Sequence, residues 1–238
     1  KGDFFFFFCL VRINSEWAKN VAGPTGGVES LIKSLEGVSS NNELSTQYNV
    51  RGGNFDENLV YVNDIEVFRP FLVRNAQQEG LSFINSDMVS DITFSSGGFD
   101  AKYGDKMSSV LDIKYRKPNQ FSANASISLL GASLHLEQVL GSRFSYQLGF
   151  RNKNTKHLIS AMDTEGDYFP SFNDLQVYAT YDLNEKSEIA FLGNLAYNTY
   201  NFIPQNRETS FGNVYEMLKL KVYFEGQEWD KFASLFGA

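Results

Sequence analysis

The residues best suited to hold a ligand lie in one short segment that mixes aromatic and guanidinium groups. Phe68, Arg69 and Phe71 fall within four residues, and Arg74 follows closely. Aromatic faces beside guanidinium groups suit sugars or anionic chelates, and they equally suit packing within a loop. The residue types of this segment therefore allow both a ligand contact and plain loop packing.

Patterns typical of catalysis or metal binding are missing from the sequence. His135 and His157 are too far apart for a helical metal pair, and neither follows a nucleophile elbow. The single Cys9 excludes an internal disulfide and a cysteine-rich metal site. One group of carboxylates lacks the ligand spacing of a calcium loop, which favours a solvated acidic turn. Its members are Asp56, Glu57, Asp64 and Glu66. We expect no enzyme, no cofactor and no metal.

Composition narrows the class of protein further. The 238 residues include 21 Lys and Arg against 28 Asp and Glu, an acidic balance that argues against nucleic acid as a partner. Hydrophobic residues make up 42% and aromatic residues 15%, yet no apolar run reaches the roughly 18 residues of a spanning helix. Two classes remain: a soluble β-rich protein and a β-barrel of the outer-membrane kind.

Residues 20–118 have the pattern of a small α+β domain, after a leader at 1–19 that we leave unassigned. In that leader the apolar run 4–11 predicts an edge strand or a stretch foreign to the native gene. Apolar residues at helical spacing over 28–35 predict a helix closed by Gly37. A hairpin is predicted at 59–67, turning at Asn63 and Asp64. A second helix is predicted to start at 85–87, with strands at 93–94 and 110–115.

Residues 119–238 alternate between apolar and polar side chains, which predicts about six strands. A tight hairpin or a bulge is expected at Gly131, where the phase of the alternation changes. The predicted strands cover 121–129, 132–137, 144–151, 175–183, 189–197 and 218–225.

The same alternation occurs in a soluble sandwich, so it does not by itself place the strands in lipid. Charged and amide groups within the strands, and connections that alternate between short turns and long loops at 152–173 and 199–213, favour the membrane barrel. The fold class expected is an α+β domain followed by antiparallel strands of an incomplete transmembrane β-barrel.

Five motifs in the first half resemble the plug domain of TonB-dependent outer-membrane receptors, and their order over about a hundred residues makes the resemblance specific. They are Val50-Arg51-Gly52-Gly53, Val60-Tyr61-Val62-Asn63-Asp64-Ile65, Met88-Val89-Ser90-Asp91-Ile92, Gly97-Gly98-Phe99-Asp100-Ala101-Lys102-Tyr103-Gly104 and Val110-Leu111-Asp112-Ile113. On this resemblance, residues 20–118 are a plug and residues 119–238 the N-terminal part of a barrel. Six strands cannot close a barrel, so we expect the chain to be a fragment.

The resemblance implies a receptor in the outer membrane of a Gram-negative bacterium, surrounded by lipid. It would import a scarce nutrient ligand, a siderophore, cobalamin, glycan or peptide, when the inner-membrane TonB energy-transducing complex pulls on the plug. The contact box for that complex is not recognised in this chain. A surface lipoprotein is a further partner that the family allows.

The resemblance also implies roles for particular residues. Arg51 corresponds to a plug arginine held by barrel carboxylates as a latch; here those carboxylates are expected beyond Ala238, and a plain structural salt bridge is the alternative. Phe68, Arg69, Phe71 and Arg74 correspond to an apex loop that contacts the substrate.

A second hypothesis comes from another class of protein. A secreted β-rich carbohydrate-binding module or sugar-acting enzyme would also use aromatic residues, and a glycosidase would need two acids converging in a cleft. The parent gene separates the two hypotheses, because only the receptor requires several hundred further residues of alternating strands.

Overall fold

The chain divides into two units, Lys1–Arg116 and Lys117–Ala238. The computed structural model describes residues 10–21, 27–40, 45–68, 70, 82–129, 131–154, 167–203, 209–224 and 227–231. Among these residues, no helix is long and apolar enough to cross a membrane.

The first unit is built on a five-stranded mixed sheet. The strand order is β1-β6-β7-β4-β5, with β4 and β7 parallel and the other pairs antiparallel. A separate two-stranded sheet pairs β2 with β3. The elements are β1 (Leu10–Asn14), α1 (Ser15–Asn20), α2 (Gly27–Lys33), β2 (Val38–Ser39), β3 (Asn49–Val50), a 3-10 turn (Phe55–Glu57), β4 (Asn58–Val62), β5 (Ile65–Glu66), β6 (Val89–Ser95) and β7 (Ser109–Tyr115).

Several predicted elements of this unit are confirmed. Helix α2 forms on the predicted apolar spacing, but it ends at Lys33, so the predicted closure by Gly37 is wrong: Gly37, with a φ of 79°, lies four residues further on, in the turn before β2. The hairpin of β4 and β5 turns at Asn63 and Asp64, whose φ values of 49° and 60° give the turn the twist that paired strands require. Strand β1 lies at an edge of the sheet and includes the last two residues of the apolar run 4–11, while residues 1–9 lie outside the described part.

The helix predicted to start at residues 85–87 is wrong. The Asn85 side chain does accept a hydrogen bond from the Asp87 amide at 3.1 Å, as a helix cap would, and the Met88 amide bonds to the Asn85 carbonyl at 3.0 Å. Only one turn forms, and the chain then continues as β6. Val89 and Ile92 are β-branched and fully buried, so they favour a packed strand over a further helical turn.

The second unit is a single antiparallel sheet of seven strands in sequential order. Six of them correspond to the predicted strands, and β14 is additional; its sequence carries Glu228, Asp230 and Lys231 and shows no apolar alternation. The strands are β8 (Ser122–Ser128), β9 (Gly131–Leu140), β10 (Phe144–Asn154), β11 (Asp167–Asn184), β12 (Ser187–Ile203), β13 (Thr209–Phe224) and β14 (Gln227–Lys231).

The long loops predicted at 152–173 and 199–213 are shorter in the structure, because the strands on either side extend into them. Strand β10 runs to Asn154 and β11 begins at Asp167, while β12 runs to Ile203 and β13 begins at Thr209. The predicted hairpin at Gly131 is confirmed: β8 ends three residues before it, and Gly131 has a φ of 147°.

Gly53 offers a test of the packing in the first unit. A Cβ at this position would lie 1.7 Å from the Ser108 hydroxyl oxygen and 2.8 Å from the Ser108 Cβ and a Glu57 carboxylate oxygen. We predict that Gly53→Ala destabilises this unit by about 1–3 kcal/mol, the usual cost of overpacking. Amide hydrogen exchange in β4 and β7 of the full-length protein should then accelerate about 5- to 150-fold. Gly104→Ala is the matched control, since its Cβ would meet nothing within 4 Å. Equal exchange in both variants would contradict the prediction.

Candidate functional site

The predicted latch residue, Arg51, is exposed at the turn that follows β3. Its amide donates a hydrogen bond to the Gly37 carbonyl at 2.9 Å, and its backbone has a φ of 49°. Its guanidinium Nη1 lies 3.7 Å from the position that a Cβ on Gly97 would occupy. The side chain therefore reaches the Gly97–Gly98 turn, which brings together two motifs separated by about forty residues.

Tyr103 connects its sequence motif to the five-stranded sheet of the first unit. The sequence pattern assigns this tyrosine no role of its own. The Tyr103 hydroxyl donates to Asp112 at 2.8 Å, and its ring packs edge-on against Tyr61 at 5.2 Å. Tyr61 and Asp112 are register partners on β4 and β7. Partial burial and the hydrogen bond to Asp112 raise the pKa of Tyr103, so the hydroxyl keeps its proton and remains a donor. Tyr103 thus fastens the loop after the Gly97–Gly98 turn to two central strands.

A buried carboxylate in α2 was also missed. Glu29 lies on the buried side of α2 with Val28 and Ile32, and the Ser82 hydroxyl donates a hydrogen bond to it. Burial, together with the nearby charge of Glu29, raises the pKa of Tyr48. The sequence gives only a weak signal for it, because Glu29 lies beside the apolar face of the helix and not within it. A buried carboxylate needs its hydrogen-bond donors, so this contact ties α2 to the segment beginning at Ser82.

The structure does not gather the candidate carboxylates around a common point. Glu57 accepts a hydrogen bond from Ser108 at 2.7 Å, and Asp64 pairs with Lys114 at 2.5 Å. In the described part of the chain, no group of three or more His, Cys, Asp or Glu side chains could hold a metal ion.

Of the four residues predicted to contact a ligand, the structure describes one. Phe68 follows β5 and is 71% exposed. Arg69, Phe71 and Arg74 lie outside the described residues. The proposed role of this segment stays a prediction.

The sheet of the second unit has an apolar, partly exposed side and a buried side that mixes polar residues with apolar ones such as Phe172 and Leu192. Along β11, Asp174, Gln176 and Thr180 are buried, whereas Leu175 and Tyr181, on the opposite side, are 41% exposed. The neighbouring strands repeat the pattern. The buried polar residues include His135, Glu137, Ser145, Gln147, Asn194 and Asn198, and the exposed apolar residues include Leu134, Phe150, Leu195 and Tyr197.

Three strands of this sheet are tied together by one buried ionic contact. Arg151 Nε on β10 donates to the Asp174 carboxylate on β11 at 2.8 Å, and the Asn194 amide on β12 donates to the other carboxylate oxygen. The Asp174 side chain is fully buried and that of Arg151 is 15% exposed. Because Asp174 receives donors on both oxygens, its charge is compensated within the sheet.

Comparison with known proteins agrees with this geometry. Residues 18–110 match the family described as the TonB-dependent Receptor Plug Domain. No curated protein was found to match the chain. The outer membrane transporter YddB from Escherichia coli aligns with a TM-score of 0.65 at 11% identity, over 90% of this chain and 36% of that one. The ferric enterobactin receptor PfeA from Pseudomonas aeruginosa aligns with a TM-score of 0.61 at 16% identity, over 90% and 38%. The siderophore receptor PirA from Acinetobacter baumannii aligns with a TM-score of 0.58 at 13% identity, over 89% and 37%.

The chain shares the fold of these structures over 89–90% of its own length and spans 36–38% of theirs. The sheet of the described strands in the second unit runs from β8 to β14 and is not closed, as expected of an incomplete barrel. Residues 18–110 match the model of the TonB-dependent receptor plug family, and the strands that follow share the fold of the outer-membrane receptor structures. The resemblance stated from the sequence motifs is confirmed, as is the fold class.

The Arg151–Asp174 contact generates a prediction about the barrel wall. Asp174→Leu leaves the largely buried Arg151 without its carboxylate, which typically costs about 3–5 kcal/mol. We expect a much smaller fraction of folded receptor in lipid vesicles, measured by heat-modifiable mobility on gels across a urea series. The double variant Arg151→Met/Asp174→Leu should recover part of the loss, because no charge is then left unpaired. Glu185→Leu changes a residue at an exposed turn and is the control. An equally large loss of folded receptor in this control would contradict the prediction.

Proposed function

We propose that this chain is part of a TonB-dependent receptor that imports a scarce nutrient across the outer membrane of a Gram-negative bacterium. One observation carries the proposal: a plug-family domain is followed directly by a sheet with buried polar and exposed apolar side chains. Exposed apolar side chains are stable against lipid, and a polar inner surface suits a plugged, hydrated lumen. The partners are the surrounding lipid, the inner-membrane TonB complex and a small nutrient ligand, with a surface lipoprotein as a further partner.

Within this function, Arg51 serves as the plug–barrel latch. Its exposed position, on a turn between β3 and the 3-10 turn, supports the role because an exposed guanidinium can donate hydrogen bonds to carboxylates of a barrel strand.

The ligand is one of four classes: a siderophore, cobalamin, a glycan or a peptide. The PfeA structure that resembles this chain holds enterobactin, and Arg69 and Arg74 carry the positive charge that an anionic iron chelate would need. Ferric siderophores are therefore the first class to test.

Growth on a limiting nutrient tests the proposed function. A strain carrying the full-length gene should grow on one of the four ligand classes as its only source of iron, cobalt or carbon, and deletion of the gene should abolish that growth. Deletion of tonB should abolish it too, because import is driven by pulling on the plug. If the full-length gene restores growth and deletion of tonB does not reduce that growth, energy-dependent import is contradicted.

Arg69→Ala tests the ligand segment with the full-length receptor and the ligand found in the growth experiment. Loss of one charged contact should weaken binding about tenfold or more by calorimetry, while the receptor still inserts into the membrane. Arg12→Ala is the control, since Arg12 is an exposed arginine on the edge strand β1. If both variants bind as the wild type does, Arg69 does not contact the ligand.

A further inference from the structure

The chain passes from the first unit to the second at a single peptide bond, with a tight anchor on each side. The Arg116 amide donates to the carbonyl of the fully buried Met88 at 2.8 Å, within the plug. The next residue, Lys117, donates through Nζ to Asp182 at 2.7 Å and to Glu188 at 2.6 Å, within the barrel sheet. Consecutive residues are therefore held by different units, without a slack linker between the two anchors.

The two carboxylates that hold Lys117 are partly exposed, and a cation between them stabilises the pair. Asp182 and Glu188 are direct register partners across the β11–β12 hairpin, where like charges repel each other. Asp182 is itself fixed by a backbone hydrogen bond from its amide to the Arg143 carbonyl at 2.8 Å. Partial burial would lower the pKa of Lys117, but the hydrogen bonds to Asp182 and Glu188 outweigh it and raise the pKa, so the amine stays charged. Lys117 thus neutralises a pair of charges that the hairpin would otherwise bring together uncompensated.

The strand that begins after this anchor is poorly suited to bear a load. Strand β8 starts at Ser122, has seven residues and pairs, within the described residues, with β9 alone. Six of its seven residues are exposed. The strands that hold Lys117, β11 and β12, have 18 and 17 residues, and each pairs with a neighbour on both sides.

We propose that Lys117 is the fixed point of the plug: it passes force applied to the plug to the β11–β12 hairpin and keeps that force off strand β8. This inference rests on the proposed function, because only a plug that is pulled loads the joint. Lys117 is accordingly a positioning residue for import. It contacts no ligand, and its role is to hold the barrel wall intact while the plug moves.

Single-molecule pulling tests the proposal on the full-length receptor in a lipid bilayer, with the force applied at the N-terminus. In the wild type, extension should stop at Lys117 until a higher force breaks the joint. In Lys117→Met, residues 117–121 should extend with the plug and add up to about 1.8 nm, and β8 should leave the sheet at a lower force. Lys117→Arg keeps the cation and should behave as the wild type does.

Two further variants keep the test decisive. Lys186→Met removes the same charge from the exposed turn of the same hairpin, and its trace should match the wild type. Asp182→Asn/Glu188→Gln removes the anchor without leaving like charges opposed, so it serves even if Lys117→Met inserts poorly, and it should show the same added extension. Identical extensions and forces in the wild type, Lys117→Met and the double variant would overturn the proposal. The growth experiment is independent of this result. Growth that does not depend on tonB would overturn the proposed function, whereas the pulling traces test the role of Lys117 alone.

Discussion

The inverted distribution of side chains in the second sheet is the constraint on which the rest of the structure depends. A strand exposes alternate side chains on opposite faces, so the solvent on each face decides which residues can stand there. Leu195 and Tyr197 are about half exposed, a costly arrangement in water and a favourable one against hydrocarbon. Buried Gln176 and Asp174 require polar partners on the other side. A sheet with these two faces is suited to a barrel wall, with its apolar side against lipid and its polar residues on the opposite side.

The buried polar side also solves a problem of register. Sliding one strand by two residues keeps the alternation of apolar and polar side chains, so hydrophobicity alone distinguishes poorly between such pairings. Arg151, Asp174 and Asn194 meet only when β10, β11 and β12 are in the observed register. A two-residue slip would leave a buried charge without its partner, which costs more than a lost apolar contact. The ionic contact therefore selects one alignment among several that the apolar pattern permits.

Much of the fold could be predicted from the sequence where the local pattern has one meaning. Asn63-Asp64 between two β-rich runs leaves little choice except a tight hairpin, and apolar residues at helical spacing before Gly37 define α2. Prediction failed where one local signal serves two structures: Asn85 caps a single turn as readily as a helix. It also failed where polar strand residues look like a loop: Asn173 falls in the predicted connection 152–173, whereas β11 already begins at Asp167. A membrane barrel and a soluble sandwich show the same alternation of apolar and polar residues along each strand. Only the exposure of the side chains in the structure distinguishes the two.

The candidate site was harder to predict because its contacts join distant parts of the chain. Arg51, Gly97 and Tyr103 all lie in the sequence motifs. The structure explains the spacing of these motifs along the chain, because the Arg51 side chain extends to Gly97 and Tyr103 bonds to Asp112. Glu29 and Ser82 are 53 residues apart, so their contact has no local signal beyond a carboxylate beside an apolar helix face. Each contact fastens a loop or helix of the plug to its central strands through one or two polar bonds. Such bonds are strong while water is excluded and weaken when a neighbour moves away and water enters, which suits the function proposed above, in which the plug is stable at rest and yields under force.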